Sequence, residues 1–369
     1  NEPGIDLKVF FFWDFGVKET YDPQFGRKVK WDIPVLEGYK SEFLKNISPN
    51  KTSAHFFGEI NPGLVSEIAF GRYDAIVVFG WQTISHWFAI LTGFLTRTPV
   101  FIRGENPFNK EPKKSFLKRI VKQIILRGLF KPVKGFFYIG QENRKFYRYY
   151  GAPESKLHFV PYAADNERFQ KNRREYEDKK RIYELKKKLG IDKDAVIILF
   201  SGKLIPLKRP FDLIMAYDKM SGKKALLFVG DGPLMPELKD FVREKGVKNV
   251  YFVGFVNQLE IGKYYSLADV FVLLSDSETW GVVVNEVMNF GKPVIVSDTV
   301  GCGPDLVKQG ENGYIFPVGD VEELSKHLDD LSKNPSRRKA FGKKSLEIVK
   351  NYSFDKDVEA INGVINNIK

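Results

Sequence analysis

The sequence is poor in the residue types that cross-link proteins or hold zinc. Cys302 is the single cysteine among 369 residues, and the four histidines are scattered at positions 55, 86, 158 and 327. A lone cysteine cannot form a disulfide within the chain, and isolated histidines lack the spacing of a metal site. We therefore expect neither an internal disulfide nor a bound metal.

Long apolar runs are absent as well, and no tract of the sequence is long and apolar enough to cross a bilayer as a helix. The composition, with 43% hydrophobic and 28% charged residues, is typical of a globular protein, and we expect a cytoplasmic location. The length exceeds what one hydrophobic core usually serves, which predicts two domains.

Acidic residues are in deficit, because 46 Asp and Glu stand against 58 Lys and Arg and leave a net charge of +12. Such an excess attracts polyanions, which include nucleic acids, anionic membranes and phosphorylated substrates. The sequence shows no platform of interleaved basic and aromatic residues, so we expect no nucleic-acid partner.

Apolar runs and amphipathic segments, by contrast, alternate along most of the chain. The runs form two series, at residues 7–13, 74–80, 100–104, 135–140 and 157–162, and at residues 196–202, 225–232, 250–256, 270–276 and 293–298. Such runs are typical of strands buried on both faces of a sheet. Strands that alternate with helices form parallel sheets through right-handed crossovers. The two series predict an α/β protein with two doubly wound, Rossmann-like domains.

The charged segment 170–190 predicts a linker between these domains, since it offers few apolar residues to a core. We place the first domain at residues 1–169, the second at 191–349, and a C-terminal helix that returns to the first domain at 350–369. Residues 1–6 have the pattern of a helix-to-strand turn, so the first strand and helix of the first domain are expected before Asn1.

Ligands of open parallel sheets bind beyond the carboxyl ends of the strands. The first strand of the second series ends at Gly202, Lys203 follows it, and Lys208 comes five residues after Lys203. Two ammonium groups beside a strand end suit a diphosphate, although a lysine in such a place more often belongs to the solvated surface.

A stronger signal follows the fourth strand of the second series, where Glu278 precedes a helix predicted over about residues 282–289. Gly281 at the helix start allows backbone N–H groups to approach an anion, and the helix dipole favours a phosphate there. Glu286 lies about one turn inside the helix, where a carboxylate can accept hydrogen bonds from vicinal ribose hydroxyls. The alternative is structural, with Glu278 capping the helix and Glu286 facing solvent.

The stretch from Ser201 to about Leu331 resembles the donor domain of retaining glycosyltransferases of the GT-B fold, family 4, which share an E-x7-E motif. Here the motif runs from Glu278 to Glu286 within SETWGVVVNEVMNFGKPVIVSD, and VPYAADNERF and GENGYIFPVGD also fit in order and spacing. The resemblance implies two such domains facing a central cleft, the first binding an acceptor and the second a nucleotide sugar such as a UDP- or GDP-sugar.

The same resemblance implies roles for individual residues. The catalytic residues would be Glu278, Lys203 and Lys208, and the donor-binding residues would be Gly202, Val256, Thr279, Trp280, Gly281, Val282 and Glu286. Among them, Glu286 would bind the ribose, Glu278 the donor sugar and Val256 the nucleobase. The two lysines and the amides at the helix start would bind the diphosphate.

Two positions depart from the family's pattern. Lys203 stands where an arginine is usual, which replaces a bidentate phosphate contact by a point charge. The histidine that is common after a strand such as VFIRG is absent from RGEN at residues 103–106. His86 and Glu105 are candidates for the acceptor side, and a structural role is equally open for each.

The resemblance implies transfer of a sugar to an acceptor hydroxyl with retention of configuration, without a metal or other cofactor. The acceptor would be a saccharide or a lipid-linked saccharide, in the assembly of cell-surface polysaccharide or glycolipid. Two alternatives remain, a catalytically inactive sugar-nucleotide-binding subunit and a dinucleotide-dependent oxidoreductase. Against the latter, no G-x-G-x-x-G stands at a strand-to-helix turn.

Residues 110–134 contain nine basic residues and one acidic residue, Glu111. Apolar residues recur there near helical spacing, at Phe116, Leu117, Ile120, Val121, Ile124 and Leu129. We expect this apolar face to pack on the first sheet. The basic face could then attract anionic lipid headgroups and hold the protein at the inner face of the cytoplasmic membrane.

Overall fold

The computed structural model describes residues 5–14, 17–112 and 115–368, so the interpretation of residues 1–6 falls largely outside the described residues. The chain divides into two compact units. Unit 1 takes its described residues from 1–19, 34–161 and 355–369, and unit 2 consists of residues 20–33 and 162–354.

Strands and helices alternate through most of the described chain. The strands are β1 (Lys8–Phe11), β2 (Thr20–Asp22), β3 (Arg27–Val29), β4 (Lys40–Phe43), β5 (Ile76–Val78), β6 (Val100–Arg103), β7 (Gly135–Tyr138), β8 (Leu157–Phe159), β9 (Val196–Ser201), β10 (Lys224–Val229), β11 (Val250–Gly254), β12 (Val270–Leu273), β13 (Val294–Ser297) and β14 (Gly313–Phe316). The α-helices are α1 (Gly63–Phe70), α2 (Ile84–Thr96), α3 (Phe116–Phe130), α4 (Gln141–Tyr149), α5 (Asn166–Tyr176), α6 (Lys179–Leu189), α7 (Pro210–Asp218), α8 (Met235–Lys245), α9 (Ile261–Leu267), α10 (Val282–Met288), α11 (Gly303–Leu306), α12 (Val321–Lys333), α13 (Pro335–Val349) and α14 (Phe354–Ile365).

Unit 2 is built on a six-stranded parallel sheet with the order β11-β10-β9-β12-β13-β14. Its strands are mostly apolar because helices cover both faces; Phe200 on β9 and Phe228 on β10, for example, are fully buried in one core. The strand order turns back between β9 and β12, which makes the sheet doubly wound. The antiparallel hairpin β2–β3, from the first tenth of the chain, also belongs to unit 2.

Unit 1 contains a parallel pair, β1–β4, and a four-stranded parallel sheet, β5-β6-β7-β8. Helices α1 to α4 supply one core on the larger sheet. On its other face, Ile361 and Val364 of α14 pack against Phe101 and Phe137. The C-terminal helix therefore completes unit 1, and apolar contacts hold it there.

The prediction of an α/β protein with parallel sheets is confirmed, but the chain divides at other points than predicted. The segment 170–190 is not a linker, since it forms most of α5 and α6 within unit 2. The side chains of Asp165 and Asp178 accept hydrogen bonds from the first turns of these helices, and Phe169 packs against Tyr265 of α9. A few well-spaced apolar residues were therefore enough to dock a highly charged segment.

Candidate functional site

The candidate site lies at the carboxyl edge of the unit 2 sheet. Strands β9 and β12 are neighbours there, at the point where the strand order reverses. Loops leaving two such strands run in opposite directions and open a crevice for ligands. Gly202 and Lys203 follow β9, Lys208 ends a short 3-10 turn, and Glu278 follows β12. The topology therefore brings the segments singled out in the sequence to one edge of one sheet.

The loop from β12 to α10 is held by the loop after β13. The N–H of Glu278 donates to the carbonyl of Thr299 (3.3 Å), and the carbonyl of Glu278 accepts from the N–H of Gly301 (3.2 Å). The N–H of Cys302 donates to the carbonyl of Trp280 at 2.9 Å. These backbone bonds fix the position of Glu278 without using its carboxylate.

The side chain of Trp280 does not fit the donor-binding role implied for it. The indole is 2% exposed and stacks on Tyr162, with ring centroids 5.7 Å apart. Its Nε1–H donates to Oδ1 of Asn285 at 2.9 Å, which satisfies the one polar atom of the buried ring. Trp280 is therefore an anchor of the loop, and only its backbone remains for a ligand. The neighbouring Thr279 is half-buried.

Gly281 precedes α10 in the left-handed region, with φ of +97°. A Cβ at this position would lie 2.9 Å from Cδ2 of Leu273, closer than such atoms approach each other. Both conditions favour glycine. Helix α10 begins at the next residue, as predicted, and ends one residue earlier than predicted. Val282, its first residue, is 37% exposed.

Glu286 lies on the inner side of α10 and is 9% exposed, so it does not face solvent. Its carboxylate accepts a hydrogen bond from the hydroxyl of Tyr265 on α9 at 2.6 Å. Burial raises the pKa of Glu286 from 4.5 to about 7, against the opposing effects of this hydrogen bond and of the positive charge of Arg168. Burial also raises the pKa of Tyr265, which keeps the phenol protonated as the donor.

Lys208 and Glu278 form an ion pair at the same edge, with side chains only 15% and 20% exposed. Because the pair is shielded from water, each charge depends on the other for stabilisation, and removing one partner leaves the other charge poorly solvated. Two of the three residues expected to act in catalysis are thus in direct contact. The contact holds both charged groups beside the start of α10.

Lys203, the third such residue, contacts the β2–β3 hairpin. Its Nζ lies 3.0 Å from Oδ2 of Asp22 and 2.8 Å from Oε1 of Gln24, and 4.9 Å from the ring centroid of Phe25. The other carboxylate oxygen of Asp22 accepts from the backbone N–H groups of Gln24 and Phe25, which shapes the turn. The ammonium group of Lys203, which the resemblance assigns to a diphosphate, therefore pairs with the carboxylate of Asp22 in this structure.

The same hairpin covers the segment after β11, where the nucleobase was expected. Val256 is half-buried there, and the neighbouring Phe255 packs edge-to-face on Phe25, with ring centroids 5.2 Å apart. The guanidinium of Arg27 lies 4.8 Å from the centroid of the Phe255 ring. The Nδ2 of Asn257 donates to the carbonyl of Lys30 at 2.8 Å. Hairpin side chains and the end of β11 thus form one aromatic and basic surface within unit 2.

His86, in unit 1, has a structural position. Its Nδ1 lies 2.6 Å from Oγ1 of Thr83 and accepts from the N–H of Thr83 at 3.2 Å, in a capping box at the start of α2. Thr83 Oγ1 also donates to the buried carboxylate of Glu59 at 3.0 Å. Burial lowers the pKa of His86 and raises the pKa of Glu59. These bonds account for His86 without a ligand.

Glu105 lies exposed in the loop after β6, and Arg103 at the end of that strand is buried. The guanidinium of Arg103 pairs with Asp357 of α14 at 2.6 Å and donates to the carbonyl of Pro161 at 3.0 Å. Arg103 therefore ties the C-terminal helix to unit 1. Within the RGEN stretch, Glu105 is the exposed residue.

Sequence reasoning missed four side chains of the site, namely Tyr265, Asp22, Phe25 and Arg27. The stretch TYDPQFGRKV, with Pro and Gly between two short polar runs, is compatible with a hairpin. Its docking place depends on residues more than 170 positions away, such as Lys203. The contact of Tyr265 with Glu286 depends on how α9 and α10 pack, which no local pattern encodes.

Across residues 5–14, 17–112 and 115–368 there is no group of three or more His, Cys, Asp or Glu side chains suited to a metal ion. Likewise, none of the helices described is long and apolar enough to span a membrane.

Residues 182–347, within unit 2, match the model of the family described as glycosyl transferases group 1. The chain is 34% identical over 159 residues to the alpha-monoglucosyldiacylglycerol synthase of Acholeplasma laidlawii, a match that covers 42% of this chain and 39% of that protein. It is 29% identical over 174 residues to the N-acetyl-alpha-D-glucosaminyl L-malate synthase of Bacillus anthracis, covering 46% of this chain and 45% of that protein. The chain thus spans less than half the length of these curated relatives.

Two solved structures are similar over most of the chain. The Anabaena protein Alr3699/HepE in complex with UDP has a TM-score of 0.71 at 17% identity and covers 89% of this chain and 86% of its own. The sucrose-phosphate synthase of Thermosynechococcus elongatus has a TM-score of 0.65 at 17% identity, with 90% and 89% covered. At this level of identity the likeness establishes the fold, and that fold is the GT-B fold of glycosyltransferases.

Proposed function

We propose that the protein transfers a sugar from a nucleoside-diphosphate sugar to an acceptor hydroxyl, with retention of configuration and without a metal, as a family 4 enzyme does. The observation that carries the proposal is the arrangement at the edge of the unit 2 sheet. There, buried Glu286 lies on the helix that follows Gly281, and the Lys208–Glu278 ion pair lies in the preceding loops. All four residues fall within the segment that matches the glycosyltransferase family.

Glu286 is proposed to bind the ribose of the donor. Its carboxylate has two oxygens with several acceptor positions, and the Tyr265 hydroxyl uses only one of these. Vicinal ribose hydroxyls are donors that can take the rest. The ionised carboxylate of Glu286 is the better acceptor for these hydroxyls. Hydrogen bonds from the ribose would therefore replace the water molecules that burial keeps away from the carboxylate.

Lys208 and Lys203 are proposed to bind the diphosphate. Each is held by a carboxylate in the structure, Lys208 by Glu278 and Lys203 by Asp22. A diphosphate carries more charge than either carboxylate and can displace them as the partner of the ammonium groups. Freed from Lys208, Glu278 would then accept hydrogen bonds from hydroxyls of the donor sugar.

In the proposed reaction the bond from the anomeric carbon to the diphosphate oxygen breaks, and the bond to the acceptor oxygen forms on the same face. The acceptor proton passes to the departing phosphate oxygen. Negative charge that builds on the diphosphate is stabilised by the two lysines and by the backbone N–H groups of the first turn of α10, which the fold holds in position before the reaction. The positive charge that develops at the anomeric carbon is stabilised by Glu278.

The acceptor is proposed to be a saccharide or a lipid-linked saccharide, in the assembly of cell-surface polysaccharide or glycolipid. One support is the lipid product in the name of the Acholeplasma relative. Glu105 is the acceptor-side candidate that we retain, because its carboxylate is exposed at the end of a parallel strand of unit 1. We do not propose His86 for the acceptor side, because its ring contacts Thr83 in the capping box of α2.

The test is donor binding and turnover with a panel of UDP-, GDP-, ADP- and dTDP-sugars, with calorimetry for binding and release of the nucleoside diphosphate for turnover. We expect one base to bind, turnover to persist with EDTA, and Glu286→Ala to weaken binding about 10- to 100-fold. The matched control is Glu244→Ala, an exposed glutamate on α8. If no donor binds, the proposal is overturned; binding without turnover with any acceptor would favour an inactive sugar-nucleotide-binding subunit.

A further inference from the structure

Helix α3 presents its apolar face to solvent. Phe116, Leu117 and Ile124 are 70%, 70% and 69% exposed, and Val121 and Ile125 are about half exposed. These positions recur at intervals of four residues, so they form one stripe along the helix. Only residues at its C-terminal end, Leu126, Leu129 and Phe130, are buried in the core of unit 1. The expectation that the apolar face packs on the first sheet was therefore wrong. Of the six apolar residues that define that face, Leu129 is buried and the other five are exposed.

A partly buried lysine explains this orientation. Lys122 points inward, where its Nζ pairs with Glu111 at 2.9 Å. The same ammonium group lies 4.7 to 5.1 Å from the ring centroids of Trp81, Phe146 and Tyr150. Glu111 in turn accepts a hydrogen bond from the Tyr150 hydroxyl. Rotating the helix to bury its apolar stripe would take the ammonium group of Lys122 away from these aromatic rings and from the buried carboxylate of Glu111, so the structure holds the stripe outward.

The surroundings of the stripe, which we call the α3 face, are basic. Helix α3 contains no acidic residue, and Lys118, Arg119 and Arg127 flank the exposed side chains. At the C-terminal end of the helix, a pocket of about 500 Å³ is lined by Arg127, Lys131 and Lys156 together with Phe130, Gly151 and Pro153. The lining of this pocket has three positively charged side chains and no carboxylate, so it would attract a negatively charged phosphate group.

We propose that the α3 face docks on the surface of a bilayer that contains anionic phospholipids. The apolar stripe enters the boundary between headgroups and acyl chains, and the pocket beside Arg127 takes a headgroup phosphate. An exposed apolar stripe marks an interaction surface, and its basic rim selects a partner that is both apolar and anionic. A helix lying in the plane of the interface meets that description without spanning the membrane. The surface goes beyond the proposed reaction and would bring the protein to acceptors carried on lipids.

The experiment is flotation of the full chain with vesicles of phosphatidylcholine alone and with an equimolar phosphatidylcholine–phosphatidylglycerol mixture. We expect flotation with the anionic vesicles that falls as salt rises. The double variant Leu117→Ser/Ile124→Ser should lower the partition coefficient at least about tenfold, since it removes two apolar side chains from the stripe. Arg127→Gln/Lys131→Gln should lower it about fivefold for each charge removed.

The matched control is Lys187→Gln/Lys188→Gln, two exposed lysines on the basic helix α6 of unit 2. It should float like the wild type, and all variants should keep the wild-type thermal midpoint because their side chains are exposed. Loss of flotation in the control as large as in the α3 variants would overturn the proposal, as would equal flotation with neutral vesicles or none at all. A dimer in light scattering that Leu117→Ser/Ile124→Ser dissociates would assign the α3 face to a second copy instead.

Nucleotide binding, measured without lipid on the same variants, separates this proposal from the proposed function. The α3 variants should bind nucleotide as the wild type does. A protein that floats but binds no nucleotide retains the docking surface and loses the proposed function; one that binds nucleotide but does not float shows the reverse.

Discussion

Replacing Glu286 by Gln tests the central feature of the proposed donor site, a carboxylate that burial makes hard to ionise. Burial raises the pKa of this group from 4.5 to about 7 in the folded protein. A raised acid pKa means that the folded state binds the proton more tightly than the unfolded state does. The group therefore imposes no penalty below the unfolded value, and the penalty grows as the pH rises from 4.5 towards 7 and is complete above that.

The size of this penalty follows from the shift in pKa. A difference of about 2.5 units corresponds to ~3 kcal/mol of unfolding free energy above neutral pH. Glutamine has nearly the same shape, and its side-chain oxygen can still accept from the Tyr265 hydroxyl. Its amide group needs a partner of its own, which offsets part of the gain. The cost of the amide is the same at both pH values, so we expect Glu286→Gln to raise the free energy of unfolding by about 2–3 kcal/mol more at pH 8 than at pH 5.

Urea unfolding of the wild type and of Glu286→Gln at several values between about pH 5 and pH 8 measures this directly. The wild type should lose stability relative to the variant as the pH rises, while the control Glu244→Gln should follow the wild type. Donor affinity should move in the opposite direction, because the variant loses the charged acceptor for the ribose. Parallel pH profiles for the wild type and Glu286→Gln would refute the reasoning from burial.

Three further predictions concern other residues of the candidate site. Lys208→Met should weaken UDP binding about 10- to 100-fold and leave uridine binding nearly unchanged, since the ligand group that it is proposed to contact is the diphosphate and not the nucleoside; equal losses for both in calorimetry would contradict this. Gly281→Ala should destabilise the protein by about 1–3 kcal/mol in urea unfolding, because its φ is positive and its Cβ would press on Leu273; an unchanged midpoint would show that the loop relaxes. Asp22→Asn should tighten UDP binding, because it removes the charge that competes for Lys203; weaker binding would mean that Asp22 itself positions the ligand.

The strands show how far local patterns reach. Each of the ten apolar runs overlaps a strand of the structure, because strands that pack on both faces are mostly apolar along their length. The strands without a predicted counterpart, β2, β3, β4 and β14, are short or polar. The exposed Lys40 and Ser41 of β4, for instance, carry no sign of a buried strand. Its pairing with β1 depends on a partner 32 residues away in the chain.

Helix α3 shows the limit of periodicity. The spacing of its apolar residues predicted the helix correctly, because helical spacing is a property of the local chain. Which face turns inward was decided by Glu111 and the rings of Trp81, Phe146 and Tyr150, which surround Lys122. A cation can outcompete an apolar stripe when the core offers it a carboxylate and aromatic faces.

The sequence by itself determined the alternation of strands and helices and the start of α10 after Gly281, because apolar periodicity and a glycine before a helix are local properties of the chain. Tertiary structure alone decided what the carboxylates of Glu278 and Glu286 meet. The folded chain buries Glu286 beside Tyr265 of α9, which raises the pKa of Glu286, and the turn after β9 brings Lys208 to Glu278. Burial and charge pairing depend on atoms that are distant in the chain, and for that reason the chemistry of the motif appears only in the folded protein.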